Sequence, residues 1–130
     1  AVERVSKSQA HLYGIIKGHK VAPGVYKVTD LVEKPKNAAP SNLAIIGRYI
    51  LSPGIFGALD NTKPGRGGEI QLTDALKGLL KTEEIYAYEF EGTRYDAGDK
   101  LGFLKANVAF ALKRKDMQGD FKKFLKGLKV

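Results

Sequence analysis

The chain has 130 residues, of which 43% are hydrophobic and 28% charged, and its net charge is +8, a size and balance that fit one domain with a real core. It contains no cysteine, which excludes disulfides, thiolate metal ligands and thiol nucleophiles. No apolar run approaches the ~20 residues of a membrane-spanning helix, and no basic segment followed by an apolar one opens the chain as a secretory signal would. A cytoplasmic protein that does not use a membrane is the expectation. Residue 1 is alanine and Ala1-Val2-Glu3-Arg4-Val5 reads like the interior of a strand, so the chain is expected to be part of a longer protein.

In chain order, residues 12–16 read as a short buried strand containing Gly14, and residues 18–24 as a turn-rich connection. Residues 26–33 and 43–51 read as two further strands. Ser52-Pro53 is a helix-start signal, a capping hydroxyl followed by proline at the first helical position, and this short helix is expected to reach Leu59. Residues 61–68, Asn-Thr-Lys-Pro-Gly-Arg-Gly-Gly, form a loop by composition. They lack the spacing of a phosphate-binding P-loop. A helix follows with Leu72, Ala75, Leu76, Leu79 and Leu80 on one face. Residues 85–90 alternate as a strand, and 93–96 are a short extended piece. Asp99 caps a long helix that turns Leu101, Leu104, Val108 and Leu112 inward. His11 and His19 fall in polar, turn-like stretches and are read as surface residues. Strands and helices alternate loosely, which points to a mixed α/β layer structure.

The positive charge is uneven. From Lys113 onward, Lys113, Arg114, Lys115, Lys122, Lys123, Lys126 and Lys129 face only Asp116 and Asp120. Phe121, Phe124, Leu125 and Leu128 recur at helical spacing, so this segment is read as a helix with one packed and one solvated face. On the solvated face no aromatic residue interleaves with the lysines as a single-strand nucleic-acid binder requires, and no nucleic-acid partner is expected.

The chemistry concentrates at Leu31-Val32-Glu33-Lys34-Pro35-Lys36. A carboxylate beside an ammonium at the end of a strand can receive hydrogen bonds from sugar hydroxyls while neutralising a phosphate. Proline fixes φ and removes a donor, so the strand stops at this pair. The same residues are also compatible with a solvated turn, Tyr95-Asp96-Ala97-Gly98 with a side-chain-capped turn, and Gly14 with a bulge.

Five segments occur in order: Glu33-Lys34-Pro35-Lys36, Ala39-Pro40-Ser41-Asn42-Leu43-Ala44, Gly47-Arg48-Tyr49-Ile50-Leu51, Gly68-Glu69-Ile70-Gln71-Leu72-Thr73-Asp74 and Arg94-Tyr95-Asp96-Ala97-Gly98-Asp99-Lys100. Together they closely resemble the C-terminal part of bacterial UTP–glucose-1-phosphate uridylyltransferases, from Tyr13-Gly14 to about Leu112. The resemblance implies an α/β fold, the C-terminal part of a GT-A-like (Rossmann-like) nucleotidyltransferase domain, with a mixed sheet flanked by helices. Residues 1–130 would be its sugar-phosphate-binding part, and 112–130 a terminal amphipathic basic helix.

The implied reaction joins UTP and glucose 1-phosphate into UDP-glucose and pyrophosphate with Mg²⁺. The sugar phosphate attacks the α-phosphorus in line, a step that depends on positioning and charge neutralisation. Lys34 matches the family's phosphate-neutralising lysine, and Glu33 the acid that binds glucose hydroxyls. Gly14 matches a glycine whose backbone approaches the sugar, and Ile45 a position that contacts it through the main chain. Asp96 matches one of two metal-binding aspartates. Lys34 and Asp96 are thus the implied catalytic residues, and Gly14, Glu33, Lys34 and Ile45 the substrate-binding ones. The family's glycine-rich triphosphate loop and its second metal-binding aspartate have no match in this chain. The chain alone is therefore expected to be inactive and to require the N-terminal half or a neighbouring chain, and homo-oligomers are expected because the family tends to self-associate. Two alternatives stand beside this reading: a thymidylyltransferase-type sugar nucleotidyltransferase, and a non-enzymatic binding module using the basic terminus.

Overall fold

A computed structural model describes residues 1–129. They fall into two compact units, one of residues 1–91 and one from Gly92 onward, and each is described by itself.

The first unit is built on a five-stranded sheet. Its strands are β1 (Val2–Arg4), β2 (Gly14–Ala22), β3 (Val25–Glu33), β4 (Leu43–Ile45) and β5 (Tyr86–Tyr88), in the order β1-β4-β2-β3-β5. All the ladders are antiparallel. A lone parallel bridge, Val2 to Glu89, links β1 to the residue that follows β5. Helices α1 (Gly54–Asp60) and α2 (Leu72–Leu79) belong to this unit, as do two short 3-10 turns, Lys7–Leu12 and Arg66–Gly68.

The β2–β3 hairpin is the backbone of the unit, and its register contains a slip. Lys17 pairs with Asp30 but Gly18 pairs with Val28, so Thr29 is an extra residue on β3. Side chains alternate along a strand, and an extra residue reverses the alternation beyond it. Burial follows that rule. Tyr26 and Val28 point inward before the bulge, and Leu31 does so after it. Glu33 therefore shares the face of Leu31.

That face carries the main core. Val2, Ile16, Tyr26, Val28, Leu31 and Leu43 from the sheet cluster with Ile55 of α1 and with Ala75, Leu76 and Leu79 of α2. The opposite face holds a smaller cluster of Ala10, Ile15 and Ala44, with Ala10 supplied by the first 3-10 turn. A polar junction ties β1, β3 and the end of β5. The Tyr26 hydroxyl donates to Glu89 Oε2 at 2.7 Å and accepts from Arg4 Nη2 at 2.7 Å, while Arg4 Nε stands 2.8 Å from Glu89 Oε1. The Tyr26 hydrogen bond is the main reason the Glu89 carboxyl is held below its ordinary pKa.

Several expectations are corrected here. Residues 18–22 are strand, because pairing with β3 extends to Ala22–Val25 and outweighs the local turn composition. The strand expected over 43–51 stops at Ile45. Gly47 then takes φ 72°, a turn conformation that ends the ladder, and Ile50 is fully exposed. The strand expected over 85–90 is limited to Tyr86–Tyr88. Ser52 does not cap α1 with its side chain. Its hydroxyl instead donates to Glu83 Oε2 at 2.7 Å.

In the second unit, residues 93–96 form no strand. Asp99 does cap the long helix α3 (Lys100–Lys113), accepting from the Gly102 amide at 2.7 Å. Helix α4 (Gln118–Gly127) follows a short break and packs on α3. Leu101 and Leu104 were expected to face inward, yet they are 57% and 60% exposed. Apolar residues lie on more than one side of α3, Phe103 and Phe110 falling off the expected stripe, so their spacing singles out no buried face. Among the described residues, no helix is long and apolar enough to cross a membrane.

Leu76 is 2% exposed at the centre of the main core. Leu76→Ala is expected to lower stability by about 3 kcal/mol through lost burial and a residual cavity. Urea unfolding of the two proteins followed by circular dichroism checks this, and a loss below about 1 kcal/mol would show that the site can collapse.

Candidate functional site

Four of the five sequence-predicted residues lie in the first unit, where the register brings them to one corner. Gly14 opens β2 and is the direct partner of Glu33, the last residue of β3. Partners on antiparallel strands share a face, so both look toward α2. Ile45, the last residue of β4, completes the corner. A Cβ on Gly14 would stand 2.9 Å from Glu33 Oε2, 3.0 Å from Thr73 Oγ1 and 3.2 Å from Ile45 Cδ1. The missing side chain is what lets a carboxylate, a hydroxyl and a methyl group converge above the backbone.

Thr73 was missed as a site residue. It sits in the first turn of α2 and donates from Oγ1 to Glu33 Oε2 at 2.7 Å. A signal for it existed in the sequence. Thr73 precedes Leu76 by three residues and Leu80 by seven, so it lies beside the apolar stripe of the helix. A hydroxyl in such a place needs a buried acceptor.

Lys34 follows Glu33 out of the strand and is exposed. Its backbone is unusual: φ is 41°, the only positive value at a non-glycine residue among those described. Left-handed backbone costs on the order of 1–3 kcal/mol at such a residue, and the position before a proline normally favours extended geometry. The Lys34 amide donates to the Tyr13 carbonyl at 3.0 Å, and Pro35 beyond it is buried. These two anchors hold the strained turn and set where the ammonium leaves the corner. Burial, and secondarily the Glu33 carboxylate, raises the pKa of the Tyr49 hydroxyl. Tyr49 is thus a second residue close enough to sense Glu33.

Asp96, the fifth residue, lies in the second unit in the loop before α3. Its Oδ1 accepts from the Gly98 amide at 3.0 Å, the capped turn anticipated from the sequence, and its Oδ2 is 3.4 Å from Arg94 Nη1. The side chain is half exposed. It can offer one hard oxygen donor of the type that Mg²⁺ accepts. Among the described residues, no group of three or more His, Cys, Asp or Glu side chains is arranged to hold a metal. A site that takes one carboxylate, with its remaining ligands from phosphate and water, fits this donor set.

A profile described as nucleotidyl transferase matches residues 1–113. The chain belongs to the nucleotidyl transferase family. Within this family it is 49% identical over 130 residues to UTP–glucose-1-phosphate uridylyltransferase 2 of Staphylococcus saprophyticus, covering 99% of this chain and 45% of that protein. It is 52% identical over 127 residues to a putative UTP–glucose-1-phosphate uridylyltransferase of Methanocaldococcus jannaschii, covering 97% and 44%. A crystal structure of UDP-glucose pyrophosphorylase complexed with UDP-glucose superposes with a TM-score of 0.81 at 49% identity, over 87% of this chain and 43% of that one. UTP-bound UGPase from Acinetobacter baumannii gives 0.85 at 37% identity, over 98% and 44%. The chain thus spans less than half the length of these relatives. The matches fix the extent of the likeness, and the expectation of a C-terminal portion is not carried by them.

The nucleotidyl transferase loop before α3 has a test of its own. A Cβ on Gly102 would collide with the carbonyl of Asp96. Gly102→Ala is expected to displace that loop, with the amide signals of residues 94–99 shifted and the Gly98 amide losing its hydrogen-exchange protection. An unchanged spectrum over these residues would refute the close packing.

Proposed function

We propose that this chain is the sugar-phosphate-binding part of an enzyme that makes UDP-glucose and pyrophosphate from UTP and glucose 1-phosphate. The observation that carries the reading is the corner of Gly14, Glu33, Lys34 and Ile45 in a chain about half identical to uridylyltransferases. In the proposed step, a phosphate oxygen of glucose 1-phosphate attacks the α-phosphorus of UTP. The new P–O bond forms as the bond to the pyrophosphate oxygen breaks, and pyrophosphate leaves with the electron pair.

Each residue has a task that its surroundings support. Glu33 receives hydrogen bonds from sugar hydroxyls, since an ionised carboxylate is purely an acceptor. Lys34 neutralises the sugar phosphate and limits repulsion between the two phosphate groups as they approach. Gly14 presents its backbone to the sugar while Glu33 and Thr73 meet where a Cβ would stand, and Ile45 closes the corner with main chain and an apolar side chain. Asp96 would hold Mg²⁺, which when bound offsets charge on the transferring phosphate. The proposal includes self-association of the intact enzyme and a cytoplasmic location. The uridylyl branch is preferred to a thymidylyl enzyme because the similar proteins are named for UTP. A basic binding module has no comparable support.

In the full-length enzyme, Lys34→Ala is expected to lower kcat/KM for glucose 1-phosphate by about 100-fold or more, through loss of a charge-assisted phosphate contact. Steady-state kinetics with varied sugar phosphate checks it, and near-normal values would sink the assignment. Asp96→Asn is expected to shift the Mg²⁺ dependence of the rate to much higher metal concentration. The same Mg²⁺ titration curve for both proteins would remove Asp96 from the metal site.

A further inference from the structure

We propose that Thr73 is a positioning residue for Glu33 and so helps to determine which sugar the corner accepts. This rests on the reading of Glu33 as the acceptor of sugar hydroxyls and adds a residue to it.

The first observation is burial. Thr73 is 6% exposed and, tyrosine aside, is the only buried polar residue among those described. Its hydroxyl hydrogen goes to Glu33 Oε2 at 2.7 Å, across forty residues of sequence and from helix to strand. The second is rigidity at both ends. Threonine is β-branched and has few χ1 choices in a helix, and Thr73 is held in a turn whose neighbours Ala75 and Leu76 are core residues. Glu33 is tied through its backbone to Gly14. A carboxylate at a strand end would otherwise sample several rotamers. The third observation is which oxygen is used. Among the described residues, no hydrogen bond reaches Glu33 Oε1, while Oε2 is taken by Thr73. A bond to one oxygen restrains rotation of the planar group, so the directions open to Oε1 are narrowed. The space above Gly14 is where Glu33 Oε2 and Thr73 Oγ1 meet, which leaves Oε1 as the oxygen available to a sugar hydroxyl.

Pre-orientation of this kind improves recognition by removing the cost of ordering the acceptor when ligand binds. A hydroxyl bonded to a carboxylate only to satisfy its own burial would have a different signature. It would affect stability and leave sugar recognition untouched.

The test uses the full-length enzyme and four variants: Thr73→Val, Thr73→Ser, Glu33→Gln and the Thr73→Val/Glu33→Gln double variant. Thr73→Val is expected to raise KM for glucose 1-phosphate about tenfold, the worth of one well-made hydrogen bond. KM for UTP and kcat should stay within about twofold of the parent, since Thr73 is not assigned to the reacting atoms. Thr73→Ser, which keeps the hydroxyl, should restore most of the sugar affinity. The double variant should be no worse than Glu33→Gln alone, because the two residues act as one unit. Among deoxyglucose 1-phosphates, the penalty of Thr73→Val should vanish for the analogue that lacks the hydroxyl received by Glu33.

An unchanged KM for glucose 1-phosphate in Thr73→Val, with a large loss in Glu33→Gln, overturns the positioning role and leaves the sugar site standing. Near-normal kinetics of Glu33→Gln overturn the sugar site itself. Equal penalties for Thr73→Val and Thr73→Ser, or additive penalties in the double variant, also overturn positioning. If Thr73→Val does not fold, Thr73→Ala against Thr73→Ser supplies the same comparison of hydroxyl absent and present.

Discussion

The antiparallel pairing of β2 with β3 is the constraint on which the first unit depends. Nine residues on each strand meet in a single hairpin, and every other element is placed by reference to it. β4 adds to the outer side of β2 and β5 to that of β3. Helix α2 lies against β3 and supplies three core residues. The pairing brings Gly14 opposite Glu33, so the point where the hairpin opens is also where the candidate site begins. Backbone hydrogen bonding and site geometry are the same fact at this corner.

Past the hairpin's open end, the chain accepts strain. Lys34 adopts a left-handed backbone immediately before a proline, a combination that local preference disfavours twice. It is held by the Tyr13 carbonyl on one side and a buried Pro35 on the other. Strain kept in place by its surroundings is common at ligand-binding turns, and here it separates the directions of two adjacent side chains. Glu33 turns into the sheet's helix-facing side and Lys34 turns out to solvent. A regular strand would also send neighbours to opposite faces, but the turn frees the lysine from the sheet altogether.

The sequence made the α/β class legible, with the boundaries of β3, the position of α2 and the Asp99 cap of α3. These rest on local signals: an apolar run ended by proline, a helical repeat of leucines, an aspartate before a helix. The extent of β2 was not legible, because Gly18-His19-Lys20 looks like a turn until a partner strand pairs with it. The early end of β4 escaped notice because Arg48-Tyr49-Ile50-Leu51 has strand composition, and only the left-handed Gly47 shows that the ladder has ended. The 3-10 turn at Lys7–Leu12 has no periodic apolar pattern to announce it. The corner itself was partly legible. Gly14, Glu33, Lys34 and Ile45 came from motif resemblance, whereas Thr73 required knowing which strand end the helix faces. Short-range pattern finds elements, and it is blind to a hydrogen bond that spans forty residues.

The extra residue at Thr29 sets a rule about chain length. Loop segments such as residues 61–68 can gain or lose residues at small entropic cost, and a lineage can vary them freely. Between Val28 and Glu33 that freedom is absent. One residue deleted there would keep the strand's composition and most of its ladder, yet it would rotate the carboxylate to the opposite side of the sheet, toward Ile15 and Ala44. The number of residues in this stretch is therefore as much a constraint as the burial of Leu31 within it. The spacing between Val28 and the Glu-Lys-Pro segment thus decides which side of the sheet the carboxylate takes.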